Sequence, residues 1–192
     1  RGLASYDGQN YQVWSEWNSG LTLGGASSFV ADVVVNSMGE PWISGFFNFS
    51  FGFPTVANYA GGDWVYYSSS ASGGFYQANV LDIAIDANDE LWIAQASSHV
   101  SHYDGSNWII YDLATIMGIS PNIALNEISV DANGEVWIAA KINGFLRLIH
   151  FDGTNWNSYP SLVAADPTDI SIDANGTKWI STFGQGIATY NG

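Results

Sequence analysis

The chain has 192 residues, a net charge of −14, no cysteine and an apolar content of 47%. Its length and apolar content support one packed domain and exclude a disordered chain. Eighteen acidic residues against four basic ones repel a phosphate backbone or an anionic lipid surface and argue against such partners, and zero cysteines exclude disulfides, thiolate zinc sites and cysteine nucleophiles.

Residues 2–8 read G-L-A-S-Y-D-G, and residues 186–192 read G-I-A-T-Y-N-G, so both ends fall in the same phase of one pattern. Between them an eleven-residue stretch is written four times. It reads V-V-V-N-S-M-G-E-P-W-I at 33–43, I-A-I-D-A-N-D-E-L-W-I at 83–93, I-S-V-D-A-N-G-E-V-W-I at 128–138 and I-S-I-D-A-N-G-T-K-W-I at 170–180. The Trp-Ile pairs at Trp42, Trp92, Trp137 and Trp179 are spaced by 50, 45 and 42 residues.

Each period resolves into four short strands. In the third copy the alternation predicts strands over 126–131, 136–140, 145–151 and 156–159. Ala132-Asn133-Gly134 makes the first turn, because Asn and Gly accept the positive φ of a tight hairpin. Asp152-Gly153-Thr154-Asn155 makes the second, with copies at 7–10 and 104–107. The first copy departs there, with Ala60-Gly61-Gly62-Asp63.

Four antiparallel strands per period of this length predict an all-β chain, a β-propeller of four-stranded blades with four repeats. The reading divides one propeller domain, 1–192, into a half blade (1–18), three blades (25–70, 78–115 and 123–162) and a partial blade (166–192). A lone sheet cannot bury both faces, so the recurring indoles are expected to wedge between successive blades. Each would bury about 200 Å², roughly 5 kcal/mol before entropy costs. The chain opens on the third and fourth strands of a blade and closes on the first three of another. Because the third strand is written at both ends, three arrangements stay open: a displaced end, a segment of a larger ring, or a second copy that completes it.

The pattern D-x-x-G-x-x-W-I, followed by G-hydrophobic-x-x-Y/F-D/N-G-x-x-W-x-x-Y, resembles the two-component regulator propeller repeat. The best matches are Asp131-Ala-Asn-Gly-Glu-Val-Trp-Ile and Phe151-Asp-Gly-Thr-Asn-Trp-Asn-Ser-Tyr. The resemblance covers essentially the whole chain, most weakly over 20–75. It implies a ligand-binding module of a periplasmic sensor region or of a secreted or surface protein of bacteria.

Four groups of residues stand out as candidate sites. Asp32, Asp82, Glu127 and Asp169 hold one position of the first strand. In a propeller they would ring the central channel and could hold Ca²⁺ or another hard cation, or else cap backbone N–H groups of the next blade. Asp86-Ala-Asn88-Asp89 and its copies look like the start of a calcium loop, but Trp92 and its equivalents stand where ligands should continue, so an Asx turn is expected. Phe47, Phe49, Phe51 and Phe53 alternate on one face of a lengthened hairpin, to pack on the core or to form an aromatic patch. Tyr11, Trp64, Trp108 and Trp156 begin the fourth strands and could line repeated pockets for a glycan. His102 and His150 hold equivalent positions, expected to be structural. Asn48 and Asn175 begin glycosylation sequons.

No nucleophile elbow, phosphate loop or HExxH occurs in the sequence. The expected function is a non-catalytic module, secreted, cell-surface or periplasmic, binding a protein partner or ligand; a lectin-like glycan binder comes second and a propeller lyase or hydrolase third. No nucleic acid and no membrane insertion are expected, since no apolar run reaches the roughly 18–20 residues of a span. Arg1 in place of Met and the lack of a signal-like segment fit a processed or excised chain.

Overall fold

A computed structural model describes residues 2–15, 18–21, 29–47, 55–69, 74–76, 79–96, 98–119, 123–160 and 164–192. The chain divides into two compact units, residues 1–80 and 81–192. Both are built of short antiparallel sheets, and the fold is that of β-propeller blades.

In the first unit β1 (Leu3–Tyr6) pairs with β2 (Tyr11–Trp14) as a two-stranded sheet, the third and fourth strands of a blade. β3 (Phe29–Val35), β4 (Pro41–Phe46), β5 (Val56–Ala60) and β6 (Asp63–Tyr67) follow as one sheet in chain order. Its core joins Ile43, Phe47, Ala57 and Leu21, with Leu3 and Trp14 of the half blade packed against it.

The second unit holds three sheets. β7 (Val80–Ile85), β8 (Leu91–Gln95), β9 (His99–Tyr103) and β10 (Trp108–Asp112) form the first, and the single turn α1 (Leu113–Ile116) follows, capped by Asp112. β11 (Ile123–Val130), β12 (Val136–Ile142), β13 (Phe145–Phe151) and β14 (Trp156–Ser158) form the second. β15 (Asp166–Ile172), β16 (Lys178–Phe183) and β17 (Gly186–Tyr190) form a three-stranded third.

The first strands run longer than their alternation suggests. In β11 the register slips between Leu125 and Glu127, and the same slip recurs at Val30/Asp32 and Pro167/Asp169. One extra residue in a bulge shifts the buried set from spacing two to spacing three, as at Ile123, Leu125 and Ile128. A strict period-two reading therefore stops short of the strand's start.

The first hairpin turns need a left-handed residue. Gly39, Gly134 and Gly176 take φ near 80°, and Asp89 takes 64° in the second repeat. Asp89 carries there a strain that its glycine counterparts avoid.

Two apolar clusters join the three sheets of the second unit. Trp92 packs with Ile128, Val136, Ile138, Ile149 and Phe151 of the next sheet. Trp137 packs with Ile170 and Ile180 of the sheet after that. The indoles thus wedge between neighbouring blades as expected for Trp92 and Trp137, each 3% exposed, and Trp42 is 6% exposed. Trp179 departs from the expectation at 46% exposed. Its hydrogen bond to the turn aspartate matches those of Trp92 and Trp137.

Candidate functional site

The first hairpin turn carries the most organised polar chemistry. Asp86 Oδ1 accepts from the backbone N–H of Asn88 and Glu90, and Oδ2 accepts from the Trp92 indole at 3.1 Å. Asp131 does the same for Asn133, Glu135 and Trp137, and Asp173 for Asn175, Thr177 and Trp179. These are Asx turns, and the second carboxylate oxygen fixes the indole that wedges the blades. Asn36 repeats the backbone half of the motif with Met38 and Glu40.

A histidine completes the arrangement in two repeats. His102 stacks flat on Trp92 at 3.9 Å and 10°, and its Nε2 meets Glu90 Oε2 at 2.8 Å. His150 stacks on Trp137 at 4.0 Å and 18°, and its Nε2 meets Glu135 Oε2 at 3.0 Å. Both rings are buried, at 8% and 7% exposed. Reading the residues alone placed the histidines in equivalent positions but missed their glutamate partners. The signal was there across the repeats: Glu90 goes with His102 and Glu135 with His150, whereas Thr177 goes with Thr189, which pairs with Trp179 across the sheet.

Asp86, Glu90 and His102 form a group whose ligand atoms lie within 4.8 Å of one another. The geometry does not favour a cation there. Both Asp86 oxygens already accept N–H donors, and a metal on Nε2 would put the ring proton on His102 Nδ1, which is buried without a hydrogen-bond partner. The cluster therefore serves as a scaffold that seats the indole.

Among the first-strand acids, Asp82 sends Oδ2 to the backbone N–H of Ile128 in the next sheet, at 2.8 Å. Asp32 Oδ1 accepts from its own neighbour Val33. Asp32, Glu127 and Asp169 each follow the bulge of their strand. Each first strand is the edge of its sheet, so its outward N–H groups need acceptors from outside the ladder. Asp82 supplies one of them.

The fourth-strand aromatics meet a ring across the hairpin in every copy. Tyr6 stacks with Tyr11 at 4.6 Å, Tyr103 with Trp108 at 4.8 Å and Phe151 with Trp156 at 4.9 Å, and Tyr59 meets Trp64 at 5.2 Å. Their surroundings differ. Trp156 also touches Trp92 and Tyr111, so it belongs to the interface between two sheets. Tyr11 stands 76% exposed and Tyr6 56%. Phe47 is fully buried beside Tyr66. Phe49, Phe51 and Phe53 lie outside the described residues.

The second hairpin turns hold their aspartates well ionised. Asp7 is pulled below the ordinary carboxylate range by the N–H groups of Asn10 and Gln9, Asp104 by those of Asn107 and Ser106, and Asp152 by those of Asn155 and Thr154. A carboxylate lowered in the folded state adds stability above its unfolded pKa, about 4, and that stability is lost as pH falls through the folded value. The melting temperature should therefore drop as pH is lowered from about 5 to below about 3. Relief of the −14 net charge acts in the opposite sense. The double variant Asp104→Asn, Asp152→Asn separates the two: thermal melts across that range should show a shallower fall than the parent, and an unchanged slope would refute the turn assignment.

No protein-family model matches the sequence, and neither does any curated protein. Solved structures do match. Virginiamycin B lyase from Staphylococcus aureus is similar with a TM-score of 0.66 at 15% identity, over 96% of this chain and 56% of the lyase. The extracellular domain of a putative hybrid two-component system from B. thetaiotaomicron gives 0.61 at 14% identity, over 98% of this chain and 24% of that one. A luciferin-regenerating enzyme gives 0.60 at 12% identity, over 93% and 62%. At these identities the likeness shows the fold, and the chain spans less than two thirds of each neighbour. Among the described residues no helix is long and apolar enough to cross a membrane.

Proposed function

We propose that the chain is a non-catalytic binding module of propeller type, part of a secreted, cell-surface or periplasmic sensor-type bacterial protein, and that it takes a protein partner or ligand on exposed aromatic surface. One observation carries the reading. The groups best suited to acid–base chemistry occur as the same Glu–His pair in two successive repeats, each pair stacked on a buried indole. Acid–base catalysis needs its groups within reach of one reacting atom. A pair copied from blade to blade serves each blade equally. The extracellular sensor domain among the similar folds fits this use.

A lectin-like reading stands second, because stacked aromatic pairs recur at four equivalent hairpins and Tyr6–Tyr11 presents an open ring face. A glycan array probed with the labelled chain and with Tyr11→Ser, Trp108→Ser distinguishes the two. The expected result is no saturable glycan signal that the variant abolishes. A saturable, variant-sensitive signal strengthened by several equivalent sites would replace the first reading with the second.

A further inference from the structure

An open apolar groove in the first unit lies between the half blade β1–β2 and the sheet β3–β6. It encloses about 230 Å³, and its walls include Leu3, Ser5 and Trp14 on one side and Val33, Val35 and Pro41 on the other. Its floor is wet: Val33 is 43% and Val35 57% exposed.

Strand register identifies the same positions elsewhere. Val33 and Val35 face Ile43 and Pro41 as Ile128 and Val130 face Ile138 and Val136, and as Ile170 and Ile172 face Ile180 and Lys178. In the second unit the places that match Val33 are covered, with Ile128 at 4% and Ile170 at 6% exposed, and those that match Val35, at Val130 and Ile172, are half-buried. The cover is the second-strand indole of the preceding sheet. Trp92 packs with Ile128 and Val136, and Trp137 packs with Ile170 and lies 3.7 Å below the Lys178 ammonium.

The strand that carries each indole pairs with the third strand of its own sheet, β8 with β9 and β12 with β13. β1 is such a third strand: its Tyr6-Asp7-Gly8 matches Phe151-Asp152-Gly153. Among the described residues β1 pairs with β2 alone. Among the described residues the groove has no second-strand indole over Val33, and β1 pairs with no second strand, so one piece would fill both.

We infer that this groove is a docking surface for a β-hairpin of the chain's own repeat type. The hairpin is a first and a second strand joined by an Asx turn. Its second strand adds to the free edge of β1, and its Trp lies on Val33, Val35 and Pro41. Strand addition supplies the backbone pairing, and the indole supplies the apolar burial.

The test extends the full chain in register. A copy of residues 123–146 replaces Arg1 and joins Gly2, so that Gly2 follows as Arg147 does in the third repeat. The extended chain should melt higher, and the β1 amides should exchange with solvent about tenfold more slowly or better. The same extension carrying Trp137→Ala in the appended copy should lose most of the gain. Val33→Lys should leave the unextended chain unchanged and abolish the gain in the extended one. An extension that leaves both melting and β1 exchange unaltered overturns the inference. Concentration-dependent association of the unextended chain, removed by Val33→Lys, would assign the groove to a second copy and overturn it as well.

Discussion

Trp137→Ala should lower the melting temperature by about 10 °C or more. The indole is 3% exposed and sits in the cluster that joins two sheets. Removing a buried Trp costs about 3–5 kcal/mol. In a chain of this length each kcal/mol moves the midpoint by roughly 2–4 °C. The loss also strands groups that exist only to hold the ring. His150 loses the face on which it stacks, the Lys178 ammonium loses the ring 3.7 Å beneath it, and Asp131 Oδ2 loses its donor. Trp179→Ala is the internal control. Its hydrogen bond to Asp173 is like the others, yet it is 46% exposed. It should cost no more than about 1–1.5 kcal/mol, a shift of a few degrees. Differential scanning calorimetry of the pair decides the matter. Equal shifts would mean that the repeated hydrogen bond, and not the wedge between sheets, is what stabilises the chain.

The difference between those two tryptophans marks how far the sequence could be read. The eleven-residue repeat placed the hairpins, and the strand 145–151 was legible to the residue because the turn pairs Asn143-Gly144 and Asp152-Gly153 bracket it. Burial of the indoles between sheets followed from the need of each small sheet to cover both faces. The exposure of Trp179 did not follow, because it depends on whether a neighbouring sheet is present, and identical local patterns carry no information about that. The start of β11 was hidden for a different reason: the bulge near Asn126 breaks the period on which a strand assignment rests. The role of Asp82 was legible as one of two choices, a channel ligand or a backbone cap, and its Oδ2 accepts from the Ile128 N–H at 2.8 Å. The Glu–His pairs were legible in principle. They appear when the repeats are aligned and the fourth residue after each turn aspartate is compared with the third strand. They are invisible in any one repeat, since Glu135 and His150 stand fifteen residues apart.

Asp131→Ala should cost about 2–4 kcal/mol, more than a turn residue usually does, and Asp131→Asn clearly less. One aspartate satisfies three donors: the N–H groups of Asn133 and Glu135 and the indole of buried Trp137. Two of these are turn groups that water can reach after the substitution, so their loss costs about 1 kcal/mol through the weakened turn. The indole N–H is different, because its ring is held between sheets, and a donor stranded there costs about 1–3 kcal/mol. Asparagine keeps the acceptor for both backbone groups, as Asn36 does for Met38 and Glu40 in the first repeat. Its amide then presents N–H to N–H at the indole, so only the third bond is lost. The order parent, Asn, Ala should appear in urea midpoints, with the slope of unfolding unchanged, since none of the three alters how much surface unfolding exposes. Equal midpoints for the Asn and Ala variants would place the whole effect on the indole. An Ala variant as stable as the parent would mean that the turn aspartate follows the wedge and does not seat it.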